Sequence, residues 1–303
     1  MEFTFKIASY EDLAAVADVE AEVFPHHRYA EDAWNQFMTT EGDMVCVYEG
    51  DYMIGIGHLQ VLPDRTGWLE CLRVRPSYQG RGAGKLIYQE WLRFAKKHGL
   101  KGLGMFTGHS NAVSAGLAEL YGLKSTYPQK EYVLTDIENA LACKTCENAS
   151  GLEASDRGTA DMLSAVSIFR KTHFHPVDWQ RAWELVRPLK EMYHDYVVLN
   201  RTFYRINKAN IGALADEGKC FEDPVTGSFT IVGTRFEHDK KLNVALAAGD
   251  IGECLRFAAA KALLENRPKL ICTFATENTS LEQALAGFGF AEGDRLVTKE
   301  LVF

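Results

Sequence analysis

No stretch of the 303-residue sequence is apolar for long enough to cross a bilayer, and the first residues show no basic region followed by an apolar core. Both absences argue against a membrane span and a secretory leader, and a cytoplasmic location is expected. A disulfide framework is lacking as well, because the seven cysteines are odd in number and irregularly spaced, the pattern of reduced thiols. The one C-x-x-C, Cys143-Lys144-Thr145-Cys146, has no second pair at finger spacing, and His173 and His175 do not complete it by spacing, so no metal is expected. Positive charge is in deficit. With 33 Lys and Arg against 41 Asp and Glu the net charge is −8, which argues against nucleic acid as the main partner and suits a cationic substrate. What is present, 47% hydrophobic and 24% charged residues, describes an ordinary soluble protein long enough for two domains.

The most informative stretch runs from Trp68 to Gly84, W-L-E-C-L-R-V-R-P-S-Y-Q-G-R-G-A-G. Leu69 to Val74 alternates as a half-buried strand does, with Leu72 and Val74 on one face, Glu70 beside them, and Cys71 and Arg73 on the other. Pro76 ends the ladder because it has no N–H to give. Three glycines follow, Gly80, Gly82 and Gly84, and from Lys85 to Ala95 apolar residues recur at helical spacing. A strand, a glycine turn and a helix start make an anion site, since the unpaired first-turn amides and the helix dipole converge on one point. The spacing is not that of a G-x-x-x-x-G-K-[S/T] loop, nor that of the G-x-G-x-x-G dinucleotide loop.

The string V-R-P-x-x-Q-G-x-G-x-G resembles the acyl-CoA-binding motif of the GNAT acyltransferase superfamily, Q/R-x-x-G-x-G/A, with Gln79, Gly82 and Gly84 at its fixed positions. The resemblance implies acetyl-CoA as cosubstrate, its pyrophosphate taken by the loop Gln79, Gly80, Arg81, Gly82, Ala83, Gly84 and Lys85. It also implies that the backbone of Leu72, Arg73 and Val74 pairs with the pantetheine arm as an added strand would, with Asn111 contacting the same arm. The expected fold class is α/β (α+β): two GNAT-like domains, each a mixed, mainly antiparallel sheet flanked by helices.

The order of elements agrees. Phe3 to Ala8 reads as a strand and Leu13 to Val19 as a helix capped by Ser9; Glu31 to Met38 is a second helix, and Met44 to Tyr48 and Tyr52 to Leu62 are strands. Leu100 to Thr107 is the next strand and Asn111 to Leu120 the next helix, closed by Gly122. A repeat then appears: Asn111 to Leu123 aligns without a gap on Asn278 to Phe290, with Arg256 to Leu264 and Leu270 to Phe274 in matching upstream positions. At the glycine loop the second copy has Leu246-Ala247-Ala248-Gly249-Asp250-Ile251, with one of three glycines and an acid where a pyrophosphate would sit. The expected domains are therefore residues 1–138, catalytic; a linker at 139–150; and 151–303, a degenerate copy with a structural role.

In this superfamily an amine attacks the thioester directly, which requires a base and an acid. Glu70, on the strand beside the pantetheine, is the candidate base, and burial there would raise its pKa. The tyrosine that many relatives use as acid is replaced by Ala118, leaving Tyr121, Tyr127 or water. His26, Tyr29 and Trp34 would shape the acceptor site, with His109 near Asn111 as a relay. The expected activity is acetyl transfer to the primary amine of a small molecule, by a monomer or homodimer without nucleic-acid or membrane partners. The alternatives are a protein lysine or N-terminal acetyltransferase and a non-catalytic acyl-CoA sensor. The string L-E-x-L-R-V-x-P…G-R-G is similar to that of two-domain histidine acetyltransferases, which act on a free amino acid, whereas mycothiol synthase keeps the second copy competent.

Overall fold

The computed structural model describes residues 2–25, 28–142 and 172–303; His26, His27 and the Cys143 to Cys146 motif lie outside the described residues. The chain folds into two compact units, residues 1–126 with 297–303, and residues 127–296.

The first unit runs β1 (Thr4–Ile7), α1 (Leu13–Val23), α2 (Ala30–Thr39), β2 (Gly42–Glu49), β3 (Tyr52–Val61), β4 (Thr66–Val74), α3 (Ala83–Lys97), β5 (Gly102–Gly108) and α4 (Ala112–Leu120). Its strands lie in the order β1-β2-β3-β4-β5. All these pairs are antiparallel except β4 with β5, which is parallel. Ser9 caps the 3-10 turn Tyr10–Asp12 that leads into α1, its N–H donating to Asp12 Oδ2 at 2.7 Å. The amphipathic α3 lays Ile87, Tyr88, Trp91 and Phe94 on Val45, Val47, Leu59 and Leu69 of the sheet, forming one core. Gly57 makes that contact possible, because a Cβ there would lie 2.6 Å from both Ile87 Cγ2 and Trp91 Cζ2. Gly57→Ala is therefore expected to destabilise the fold by about 1–3 kcal/mol through overpacking, read as a lowered midpoint in urea unfolding.

The second unit begins within β6 (Lys124–Leu134) and continues through α5 (Ile137–Ala142), β7 (His175–Pro176), α6 (Trp179–Val186), β8 (Tyr196–Leu199), β9 (Thr202–Arg205) and α7 (Lys208–Asp216). There follow β10 (Cys220–Asp223), β11 (Ser228–Gly233), β12 (Leu242–Ala248), α8 (Ile251–Leu264), β13 (Leu270–Ala275), α9 (Thr279–Phe288) and β14 (Ala291–Val302). Its sheet order is β6-β13-β12-β11-β10-β7, again with one parallel pair, β12 with β13. From β10 to α9 the order strand, strand, strand, helix, strand, helix repeats that of β2 to α4. The fold is thus the α/β class expected, with mainly antiparallel sheets flanked by helices. Of the expected linker at 139–150, residues 143–150 lie outside the described residues; the division between the units falls inside β6, and residues 297–303, which include the end of β14, belong to the first unit. The division falls in a part of β6 that is mainly polar, Lys124 to Glu131, where there is no apolar periodicity to mark it.

Candidate active site

The loop after β4 takes the conformation its glycines permit. Gly80 has φ +75° and Gly82 φ +104°, values that L side chains adopt at a cost, and nothing lies within 4 Å of where a Cβ would stand at either. Gly82 is the N-cap of α3 and has no side chain to cap it, so among the described residues the helix's first-turn amides have no N-cap side-chain acceptor. Gly84 serves a different purpose: a Cβ would stand 3.0 Å from Leu117 Cδ2, so it lets α4 approach α3. Gln79 holds the turn by donating from Nε2 to Val74 O at 3.0 Å. Arg81 is paired with Glu49 at 2.7 Å, and Ala83 is buried while Lys85 is exposed. Asn111 caps α4 as expected, accepting from Ser114 N–H at 3.0 Å.

Beside this loop the sheet opens. The parallel ladder between β4 and β5 covers Thr66 to Leu69 and Gly102 to Met105. Beyond it β4 continues to Val74 and β5 to Gly108 with no ladder pair between them among the described residues. The exposed edge of β4 there is what an extended ligand needs for strand-like pairing.

On its other edge β4 carries a bulge. Ile56 faces Arg73 and His58 faces Glu70, so Leu72 and Cys71 stand together opposite Gly57. Cys71 takes the left-handed φ of +56° that this requires. The extra residue corrects the sequence reading of the faces: Leu72 and Val74 pack toward α3, whereas Glu70 turns to the opposite face with Arg73. Nor is Glu70 a surface glutamate. It is buried, and its Oε1 lies 3.0 Å from Nδ1 of His58, a fully buried histidine stacked on Phe37 at 4.0 Å.

The same face holds a second polar cluster that sequence reasoning missed. Glu20 is buried, accepts from the N–H groups of Tyr29 (3.0 Å) and Ala30 (2.9 Å), and lies 3.8 Å from Arg73. Burial is the main influence on its carboxyl and raises its pKa. Burial likewise raises the Tyr29 phenol and pushes the Cys71 thiol up to about 12, so Cys71 is a thiol at neutral pH rather than a nucleophile. Trp34 is a core residue of α2 at 4% exposure, and His109 is exposed in the turn before α4. Ala118 is fully buried in the core. Tyr121 stacks on Tyr88 at 4.9 Å and donates its hydroxyl to Lys85 O at 3.0 Å, pinning the end of α4 to the first turn of α3; desolvation raises its pKa.

In the second unit the corresponding features are present but filled. The β12 strand keeps a bulge, Ile231 facing Leu246 and Val232 facing Val244, and its parallel ladder with β13 ends after Asn243 and Ile271. Tyr193 stands at this edge: its hydroxyl donates to Ala247 O (2.6 Å) and accepts from Ala247 N–H (2.9 Å). The buried β8–β9 hairpin is fixed to the same strand through Asn200 N–H and Asn243 Oδ1 at 3.2 Å. At the N-terminus of α8, Asp250 accepts from Glu253 N–H at 3.0 Å, placing a carboxylate where α3 has open amides. Asp250→Ala is expected to cost about 1 kcal/mol of stability through the lost cap, seen in thermal melting.

Residues 10–123 match the model of the acetyltransferase (GNAT) family, a stretch that lies within the first unit. An uncharacterized N-acetyltransferase of Escherichia coli strain K12, YedL, is 33% identical over 105 residues, 34% of this chain and 65% of YedL, so the chain spans just under two thirds of that relative's length. Among solved structures, the tandem GNAT protein from the clavulanic acid biosynthesis pathway superposes with a TM-score of 0.60 at 16% identity, covering 99% of this chain and 98% of that one. A GCN5-related N-acetyltransferase from Sphaerobacter thermophilus gives a TM-score of 0.59 at 11% identity, with 99% and 95% covered. At these identities the structural likenesses establish the fold.

Proposed function

We propose that this protein is an acetyl-CoA-dependent N-acetyltransferase that moves the acetyl group to the primary amine of a small molecule. In this reading the first unit is catalytic, and the second is a GNAT-like copy that has lost its coenzyme site. The observation that carries the reading is the contrast between two similar strand–helix junctions: in the first unit, among the described residues, the helix has no N-cap side chain and the strand edge no ladder partner, and in the second Asp250 and Tyr193 use the corresponding backbone groups. The pyrophosphate of the coenzyme would lie on the first-turn amides of α3, between Gly82 and Lys85, and the pantetheine along Leu72 to Val74.

The chemistry is direct attack. The amine nitrogen forms a bond to the thioester carbonyl carbon, the C–S bond breaks, and the proton shed by the amine goes to Glu70. Coenzyme A leaves as a thiolate and takes a proton from water or from Tyr121, whose hydroxyl must first release Lys85 O. The extra backbone residue at the bulge supplies polar groups outside the ladder, next to Glu70, where the carbonyl oxygen gathers charge. His26, Tyr29 and His109 are proposed for the acceptor side, with Trp34 supporting that side from the core of α2 rather than lining it.

Release of free coenzyme A across a panel of small primary amines, lysine peptides and free protein N-termini tests this reading. Turnover of small amines is expected. Turnover of peptides alone would make the enzyme a protein acetyltransferase, and tight acetyl-CoA binding without turnover of any amine would make it a sensor.

A further inference from the structure

We propose that His58 is the positioning residue for Glu70, the histidine that fixes the base beside the β4 bulge; the proposal rests on the acetyltransferase reading above. Four observations lead to it. The first is burial: His58 is fully enclosed on β3, in a run whose neighbours Ile56 and Leu59 are apolar, and a polar side chain in such a place is retained only with a hydrogen-bond partner. The second is the contact, Nδ1 to Glu70 Oε1 at 3.0 Å. In the base form of Glu70 that the proposed reaction requires, the carboxylate only accepts, and the proton of this bond is then the one on Nδ1.

The third is register. Glu70 and His58 are directly opposed across β3 and β4 only because the bulge advances β4 by one residue; in an uninterrupted ladder starting from Ile56 and Arg73, His58 would face Cys71. The left-handed Cys71 and the Glu70–His58 pair are thus one feature, a strained residue that delivers a carboxylate to a histidine. The fourth is the support beneath the ring. His58 stacks on Phe37 at 4.0 Å and 26°, and Phe37, itself buried on α2, limits the tilt of the imidazole and hence the direction of its N–H.

A carboxylate has about four lone-pair sites, so one bond to His58 orients Glu70 without exhausting its capacity to accept a proton. Glutamate is otherwise a flexible side chain with three rotatable bonds. Holding it in one rotamer removes the misplacement of about 1 Å that is enough to slow a positioned proton transfer by roughly 10²-fold.

The test compares His58→Phe, which keeps a flat ring over Phe37 but has no donor, with His58→Asn, whose amide N–H stands near the position of Nδ1. Each is assayed with acetyl-CoA and the small primary amine turned over best by the wild type. For His58→Phe, kcat is expected to fall roughly 10²-fold with KM for acetyl-CoA unchanged, and His58→Asn is expected to recover most of that loss. In the Glu70→Gln background His58→Phe is expected to have no further effect, because the two residues act as a unit. Hydroxylamine, which is largely unprotonated at neutral pH and needs no base, should be acetylated by wild type and His58→Phe at similar rates. Activity of His58→Phe within about twofold of wild type overturns the proposal, as do losses that multiply in the double variant or an equal loss with hydroxylamine. If His58→Phe does not fold, the cycle is run with His58→Asn and His58→Leu, and the same outcomes decide. A wild type that acetylates no amine at all overturns the acetyltransferase reading itself, an outcome distinct from any of these.

Discussion

Glu70→Gln is expected to lower kcat for a primary amine at neutral pH by roughly 10²-fold or more, the range for loss of a positioned general base. Acetyl-CoA affinity should be unchanged, because the amides of α3 and the edge of β4 are not altered. The substitution is nearly isosteric and keeps an acceptor oxygen for His58, so the fold at the bulge is expected to survive. Hydroxylamine separates base from scaffold, since a nucleophile that arrives unprotonated has no use for Glu70. Steady-state kinetics with both acceptors make the comparison. Equal losses with both would show that the residue shapes the site, and full activity with both would remove Glu70 from the mechanism.

Gly82→Asp is expected to reproduce in the first unit what Asp250 does in the second. A carboxylate at the N-cap of α3 takes the first-turn amides for itself and repels a pyrophosphate. Two unit charges about 4 Å apart near a protein surface interact by roughly 4 kcal/mol, and screening in an open loop reduces this, so a loss of about 10²-fold in acetyl-CoA affinity is expected. Stability should change little: a side chain at φ +104° costs about 1–2 kcal/mol, and the new cap returns about 1 kcal/mol. Gly82→Ala separates the terms, because it carries the backbone cost without the charge and should weaken binding far less. Equal weakening by both variants, measured by calorimetry, would assign the effect to loop conformation.

Much of the fold was legible in the residues. Ser9 and Asp12, Pro76, Gly82 and Asn111 are local signals whose consequences depend on a few neighbours, and each stands at the turn or helix end that its chemistry requires. The anion site after β4 was legible for the same reason. What lay beyond reach depends on partners distant in sequence. The bulge at Cys71 is a property of β4 against β3, and a strict alternation of faces therefore put Glu70 with Leu72 and Val74 and hid its pairing with His58. Glu20 sits in an apolar stretch of α1 and is explained only by the amides of Tyr29 and Ala30. Tyr193 meets Ala247 across 54 residues, so the single glycine of Leu246 to Ile251 was visible in the sequence while the tyrosine on that strand edge was not.

The two units repeat one order of elements and differ at the same place in it. Each keeps a bulged central strand beside a partly open parallel pair, and the difference lies in whether the chain's own side chains use the backbone groups exposed there. Titration calorimetry of the full chain with acetyl-CoA tests that account most directly. It predicts a single binding event per chain, abolished or weakened about 10²-fold by Gly82→Asp and untouched by Asp250→Ala. Two events per chain, or a single event that survives Gly82→Asp unchanged, would contradict it.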